Sequence, residues 1–213
     1  MQSVALIDYS SGNVHSAERA LAEAARLADV SVEVELTADP EVIAKADRIV
    51  LPGVGHFAQC KAALEAREGV IEAMEQSVFN RATPFLGICV GMQLLADFSF
   101  EDGEVAGLGW VHGAVRAIDP GPGHPVPHMG WNALDLLHEH HVLSGLGPDP
   151  HVYFVHSYAL SPENENHIAA VTEYGRPIVA AVARDTIFGT QFHPEKSQRV
   201  GLKLLSNFLT WAP

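Results

Sequence analysis

Residues 84–95 read PFLGICVGMQLL, which is a short apolar run, a Gly-x-Cys-x-Gly turn and the start of an apolar helical pattern. This order predicts a buried strand that turns sharply into a helix. Apolar runs at 4–7 and 48–51 also end at turn residues and lead into helical patterns, one of which, 58–79, is expected to break near Gly69. The repeated alternation predicts an α/β fold with a central, mostly parallel sheet flanked by helices.

The second half of the chain has a different pattern. Short strand candidates follow one another without long helices between them, which predicts antiparallel additions to the sheet. They lie around 109–118, 151–158, 167–172, 178–183 and 186–192. The Pro- and Gly-rich stretch 119–128 is interpreted as a surface loop, and an amphipathic pattern from Ser197 predicts a C-terminal helix. With no internal repeat, we expect a single domain over 1–213.

The composition argues against nucleic-acid and membrane partners. Thirteen Lys and Arg stand against 26 Asp and Glu, and the net charge of −13 repels phosphate backbones and anionic lipid surfaces. The apolar runs are far shorter than the roughly 20 residues that span a bilayer. The amino terminus does not read as a signal peptide, and Cys60 and Cys89 lie in contexts too different to suggest a disulfide. We therefore expect a cytoplasmic protein.

Cys89 is the central residue of the Gly-x-Cys-x-Gly turn, which has the pattern of a nucleophile elbow. Gly87 and Gly91 allow the chain to turn sharply between strand and helix. The helix N-terminus behind the sulfur favours negative charge there. The pattern favours a thiolate nucleophile, and the alternative is a small cysteine buried at the end of a strand.

Residues 191–195, QFHPE, offer a base and a carboxylate. Side chains two residues apart in an extended segment point to the same side, so His193 and Glu195 are expected to lie adjacent. In a Cys-His-Glu triad the histidine takes the thiol proton and later protonates the leaving amine, while the carboxylate fixes the tautomer of the imidazole. On its own the motif also fits a turn with a surface carboxylate. Together with the elbow it predicts a thiol triad.

A glycine loop, PGVGHF at 52–57, follows the strand candidate 48–51. It lacks the lysine and the spacing of a phosphate-binding P-loop. Backbone amides beside a thiolate instead suit a developing oxyanion, together with the amide of Val90.

These motifs resemble the class I, triad-type glutamine amidotransferases, and most closely the glutaminase subunits that serve imidazole glycerol phosphate synthase. The resemblance runs along the whole chain and implies a flavodoxin-like fold and glutamine hydrolysis without a cofactor. It is carried by the segments DYSSGN (8–13), PGVGHF (52–57), GICVGMQ (87–93), MGWN (129–132), YFVHSY (153–158) and QFHPEKS (191–197).

The resemblance also implies roles for individual residues. Cys89 would attack the glutamine amide, with His193 as base and Glu195 as its orienter. The remaining assignments are Val54 and Val90 as oxyanion donors, Gly53, Gln93, Ser157 and Tyr158 on the bound glutamine, and Asn13, Trp131, Asn132 and Lys196 at the face of a partner.

The partner implied by the resemblance is the cyclase subunit of imidazole glycerol phosphate synthase, in a heterodimer that channels ammonia into histidine biosynthesis. The resemblance places a gate for glutamine hydrolysis near the loop 52–55, where glycines on both sides of Val54 lower the steric cost of reorienting a peptide. Without the resemblance, the segment 129–132 would be the start of a strand with a half-buried tryptophan.

Three alternatives stay open: a glutaminase subunit of another amidotransferase, a stand-alone thiol hydrolase and a non-catalytic binding subunit. Gln93, one turn after Cys89, and the loop 52–57 favour an amidotransferase, and an intact triad disfavours a non-catalytic role. The histidines at 138–141, HEHH, do not match His-Glu-x-x-His, so we assign no metal.

Overall fold

The computed structural model describes residues 1–10 and 14–213, and its regular elements follow in chain order. The strands are β1 (Gln2–Ile7), β2 (Val32–Thr37), β3 (Arg48–Gly53), β4 (Phe85–Cys89), β5 (Phe98–Ser99), β6 (Val105–Ala106), β7 (Gly113–Ala117), β8 (His128–Ala133), β9 (Asp135–Leu136), β10 (His151–His156), β11 (Tyr158–Pro162), β12 (Ile168–Glu173), β13 (Pro177–Arg184) and β14 (Ile187–Thr190). The α-helices are α1 (Val14–Ala28), α2 (Pro40–Lys45), α3 (Phe57–Glu65), α4 (Val70–Glu75), α5 (Val90–Gln93) and α6 (Gln198–Thr210).

Eight strands form the main sheet in the order β2-β1-β3-β4-β14-β13-β12-β9. The first five are parallel to their neighbours, and β13, β12 and β9 continue the sheet in antiparallel pairs. Strand β4 pairs with β3 on one side and β14 on the other, so the ends of these strands meet at one edge. This sheet, flanked by helices, confirms the predicted α/β fold and its antiparallel additions.

The central strands are buried throughout, which explains why their sequences are continuous apolar runs rather than alternating ones. Helix α1 buries one stripe, including Leu21 and Ala24, and packs against α6. This helix confirms the helical pattern predicted after the apolar run at 4–7. Among the described residues, no helix is long and apolar enough to cross a membrane.

Two smaller sheets stand beside the main one. Strands β8 and β10 form an antiparallel pair, and β11, β7, β5 and β6 form the other sheet. The sequence predicted one strand over 151–158, but the chain leaves the first small sheet at His156 and enters the second at Tyr158. Ser157 is therefore a corner between two sheets.

Two other boundaries also differ from the prediction. The predicted break of the helical region 58–79 near Gly69 is confirmed, since Gly69 at φ 77° separates α3 from α4, but the region ends in a π-helical turn at Gln76–Asn80 that was not predicted. The strand expected at 109–118 begins only at Gly113, because residues 107–111 hydrogen-bond to the turn after α5.

Candidate active site

Cys89 is the last residue of β4, and α5 begins at the next residue. Its backbone has φ 55° and ψ −112°, a conformation that costs a non-glycine residue about 1–3 kcal/mol. The flanking glycines make the turn sterically possible. A Cβ on Gly91 would lie 1.9 Å from the carbonyl oxygen of Leu51, and one on Gly87 would lie 2.7 Å from the oxygen of Gly91. The Gly-x-Cys-x-Gly pattern is therefore a consequence of close backbone packing around the cysteine.

The His-Pro-Glu segment brings the imidazole and the carboxylate together. Nδ1 of His193 lies 2.7 Å from Oε1 of Glu195, and both side chains are buried. The arrangement differs from the expected extended segment, because Pro194 begins a 3₁₀ turn that ends at Lys196. The hydroxyl of Ser197 donates to the carbonyl of His193 at 2.6 Å and holds this turn in place.

The electrostatics of His193 depend on its two partners. Burial alone lowers its pKa, but hydrogen bonds and charges from Cys89 and Glu195 outweigh burial and raise the pKa to about 9. Since Nδ1 is engaged by Glu195, Nε2 is the nitrogen that faces the sulfur. A protonated imidazole beside Cys89 favours the thiolate form of the nucleophile. The second oxygen of Glu195, Oε2, is buried without a hydrogen-bond partner in the described part of the chain.

A cavity of about 500 Å³ opens in front of Cys89 and His193. It collects most of the residues that the sequence assigned to the site. Its lining is formed by Val54, Gly55, His56, Cys89, Val90, Gln93, Glu101, Pro127, Val155, His156, Ser157, Tyr158, His193 and Lys196. The roles of these residues in binding and oxyanion stabilisation stay predictions.

Gly53 lies behind this cavity rather than in its lining. It is buried at the end of β3, opposite Cys89 in the sheet register. A Cβ there would lie 2.7 Å from both the amide nitrogen of Gly91 and the hydroxyl of Tyr9. The geometry therefore gives Gly53 a packing role, because the elbow approaches β3 closely.

Three further residues at the site were missed by sequence reasoning. Glu101 places a largely buried carboxylate in the cavity wall, where it accepts the Phe57 amide at 2.7 Å. His156 also lines the cavity, and Gln191 directs its amide Nε2 at Sγ of Cys89 from 3.8 Å. Gln191 stands two residues before His193, a spacing that places side chains on one side of an extended segment. This spacing could have identified Gln191 as a site residue.

The proposed partner-facing residues form an exposed group on and beside β8. Trp131 is 48% exposed and packs edge-to-face on Tyr153, with the ring centroids 6.1 Å apart. The ammonium of Lys196 lies 5.9 Å from the same tyrosine ring. Asn132 is half-buried and donates to the carbonyl of Glu173 at 2.8 Å. Asn13 lies outside the described residues.

Two groups of side chains bear on metal binding. Nδ1 of His56 lies 3.2 Å from Asp102 and 3.4 Å from Glu101, and within 1–10 and 14–213 these three could hold an ion. Two of the histidines at 138–141 have other contacts: His140 packs on aromatic rings, and His141 lies 3.2 Å from the hydroxyl of Thr210. The assignment of no metal stays a prediction.

Comparison with known proteins gives consistent matches along the chain. The model of the family "Glutamine amidotransferase class-I" matches residues 5–211. Imidazole glycerol phosphate synthase subunit HisH of Caulobacter vibrioides is 52% identical to this chain, and the alignment covers 100% of both sequences. The protein of the same name from Rhodospirillum rubrum is 53% identical, with 99% of each chain covered.

Solved structures share the fold at low sequence identity. A crystal structure of a glutamine amidotransferase superposes with a TM-score of 0.71 at 17% identity, covering 97% of each chain. Another, from Thermotoga maritima, gives a TM-score of 0.63 at 17% identity, covering 93% of this chain and 78% of the other. The solved structures share this fold, and the full-length sequence matches show that the chain belongs to the class I glutamine amidotransferase family and to its HisH group of imidazole glycerol phosphate synthase subunits.

Proposed function

We propose that this chain hydrolyses glutamine at Cys89 and delivers the ammonia to a cyclase subunit that makes imidazole glycerol phosphate in histidine biosynthesis. The observation that carries the proposal is the buried contact among Cys89, His193 and Glu195 at the wall of a cavity. The family membership supplies the substrate class, because its relatives are named as subunits of that synthase. The cytoplasmic location expected from the sequence is part of the proposal.

In the acylation step, the Cys89 thiolate attacks the side-chain amide carbon of glutamine. The carbonyl oxygen becomes an oxyanion, which amides of Val54 and Val90 at the cavity wall would stabilise. His193 donates its Nε2 proton to the departing nitrogen, which leaves as ammonia, and a glutamyl thioester remains on the sulfur. The raised pKa of His193 suits this step, because the imidazole enters it already protonated.

In the deacylation step, the now neutral His193 takes a proton from water through Nε2. The resulting hydroxide attacks the thioester carbon and displaces the Cys89 thiolate, which releases glutamate. Glu195 holds Nδ1 through both steps at 2.7 Å and so keeps Nε2 directed at the reacting atoms.

The rest of the cavity fits an amino-acid substrate. Glutamine carries an α-ammonium group at the end away from its reactive amide. Glu101 supplies a carboxylate in the cavity wall that can pair with this ammonium. The amide nitrogen of Gln93 donates to the carbonyl of Tyr158 and to Oε1 of Gln191, so Gln93 also holds the wall of the cavity in place.

The proposed cyclase would cover the exposed part of β8. Met129 is 61% exposed, and Trp131 stands two residues further along the same strand. Val155 faces Met129 in the sheet register and also lines the cavity. An apolar patch that continues into the cavity suits a partner that both docks and receives the ammonia. We propose a heterodimer.

The test uses Cys89→Ala in the complex with the cyclase subunit. The variant should lose glutamine-dependent synthesis and keep synthesis from ammonium salts, because only the nitrogen source depends on the thiol. Both reactions are measured as formation of imidazole glycerol phosphate. Glutamine-dependent synthesis by the variant would show that Cys89 is not the nucleophile. Wild-type chain that releases no glutamate with any cyclase partner would refute the proposed function.

A further inference from the structure

A continuous series of hydrogen bonds runs from the sulfur of Cys89 to the carbonyl of Tyr158. The amide Nε2 of Gln191 lies 3.8 Å from Sγ of Cys89. The Oε1 atom of Gln191 accepts from Nε2 of Gln93 at 3.1 Å, and the same nitrogen donates to the Tyr158 carbonyl at 2.9 Å. Both glutamine side chains are buried, so this series is shielded from water.

A second series runs from the same carbonyl to the surface strand β8. Nδ1 of His156 lies 2.9 Å from the Tyr158 oxygen, and Nε2 of His156 lies 3.0 Å from Nδ1 of His128. Nε2 of His128 lies 3.4 Å from Nδ2 of Asn132, which also donates to the carbonyl of Glu173. Asn132 is the neighbour of the exposed Trp131.

The Tyr158 carbonyl determines the direction of every bond in both series, because a carbonyl oxygen can only accept. Gln93 must therefore present its NH₂ group to Tyr158, which in turn leaves an NH₂ group of Gln191 to face the sulfur. His156 must carry its proton on Nδ1, so its Nε2 accepts from His128. His128 then accepts from Asn132. Each group has one role, and none of these bonds competes with another.

The environment of the two histidines supports this arrangement. Burial lowers the pKa of each to about 4, so both are neutral at physiological pH and each has one donor and one acceptor nitrogen. The ring of His128 stacks on Phe154 and Tyr174, with centroids 4.7 and 4.0 Å apart. A buried and fully oriented network of this kind favours one geometry over alternatives.

We propose that His156 and His128 are positioning residues for glutamine hydrolysis, which hold the Tyr158 carbonyl so that the Gln191 amide points at Cys89, and which link that amide to Asn132 on β8. The proposal rests on the proposed function. An N–H group directed at the sulfur stabilises the thiolate. Displacing Tyr158 would let the two glutamine amides rotate and withdraw that donor.

The test variant is His128→Phe, which keeps an aromatic ring between Phe154 and Tyr174 and removes both hydrogen bonds of the imidazole. We expect kcat for glutamine to fall about 10-fold, the effect of one buried hydrogen bond left unmade, with KM changed less than kcat. The rate of Cys89 alkylation by iodoacetamide should fall in parallel. The matched control is His140→Phe, since His140 packs on Phe188 and Trp211 in a separate aromatic cluster. Neither rate should change in the control.

A double-mutant cycle separates positioning from general loss of structure. His128→Phe and Gln191→Met should lose less together than the product of their separate effects, because both interrupt one series of bonds. Effects that multiply independently, or unchanged kcat and alkylation in His128→Phe, would overturn the inference. If His128→Phe does not fold, the half-buried Asn132 is replaced instead, and Asn132→Leu is compared with the wild type in kcat and in Cys89 alkylation. We expect a smaller fall in kcat than for His128→Phe. Unchanged kcat and alkylation in Asn132→Leu would again overturn the inference. These rates are measured in the complex with the cyclase, and a wild-type complex without glutaminase activity would instead refute the proposed function.

Discussion

Two glycine-rich turns meet at the cavity, and they differ in how much space a side chain would have at their glycines. The elbow around Cys89 is buried, and a Cβ on Gly91 would lie 1.9 Å from a backbone oxygen. The loop after β3 is open: Val54 is 39% exposed, and a Cβ on Gly55 would have no atom within 4 Å. Gly55 needs its glycine for a different reason, since its φ is 92°. One turn is fixed by close packing, whereas Gly55 in the other turn has open space around it.

This difference divides the catalytic work between the two turns. The elbow presents the sulfur in one position, and it cannot be the element that switches activity. The loop carries Val54, whose amide is expected to stabilise the oxyanion, and glycine flanks make its peptide easy to rotate. We therefore expect the isolated chain to bind glutamine but hydrolyse it slowly, with the cyclase favouring the competent state of the loop.

The largest expected effect comes from breaking the fixed turn with Gly91→Ala. The added methyl would displace β3 from the elbow, so glutaminase activity should become undetectable and the free energy of unfolding should fall by about 3 kcal/mol. Glutamate release and urea denaturation measure the two losses. A variant with wild-type stability would contradict the close packing seen here.

His193→Ala should lower kcat for glutamine by about 10⁴-fold. The sulfur would lose the group that takes its proton and protonates the departing ammonia. Steady-state glutamate release by the complex is the measurement. A loss below about 10-fold would mean that another residue supplies the base.

Gly55→Ala tests the open turn with the same substitution as Gly91→Ala. The methyl has space, but φ of 92° is unfavourable for alanine, so the loop should settle in another conformation. The cyclase-stimulated rate should fall by about 10²- to 10³-fold, the effect of one oxyanion donor, while the free chain changes little. Gly53→Ala is not an equivalent test, because its methyl would clash with Gly91. Undiminished stimulation in Gly55→Ala would place the gate elsewhere.

Glu195→Gln should lower kcat by about 10²-fold, less than loss of His193, because the amide oxygen can still accept from Nδ1. The pKa of His193 should fall below 9, since a hydrogen bond to a charged carboxylate is lost while burial remains.

The raised pKa of His193 in the wild type stabilises the fold fully below pH 6.5, and that stability is lost as pH rises through about 9. The stability advantage of the wild type should therefore shrink over this window in denaturation measured at several pH values. A constant difference would contradict the assigned coupling.

Cys60→Ser should have the smallest effect, with glutamine turnover within about two-fold of wild type, because a hydroxyl replaces a thiol that donates to the carbonyl of Val54 at 3.3 Å. Glutamate release is again the measurement. A large loss would mean that the wrong thiol has been assigned.

Local patterns predicted the parts of the molecule that local geometry controls. The strands and helices of the first half follow from apolar periodicity, and the elbow follows from glycines around one cysteine. The contact between His193 and Glu195 could also be predicted from the sequence, because the two residues are only two positions apart. The 3₁₀ turn between them was not predicted.

Features that depend on distant packing were not predictable in this way. Gln93 and Gln191 are 98 residues apart and meet only because the end of β14 lies beside β4. His128 and His156 are joined by the pairing of β8 with β10, and each alone looks like an ordinary strand residue. The corner at Ser157 was missed because both sheets continue the same apolar alternation.

The most direct test of the central claim is covalent labelling with a glutamine analogue that carries a diazoketone in place of the side-chain amide. A thiolate at the glutamine site would form a stable thioether with it, and peptide mass spectrometry identifies the modified cysteine. We predict one adduct on Cys89, loss of glutaminase activity in proportion to labelling, and protection by glutamine. Inactivation with the adduct on Cys60, or with Cys89 unmodified, would contradict the account.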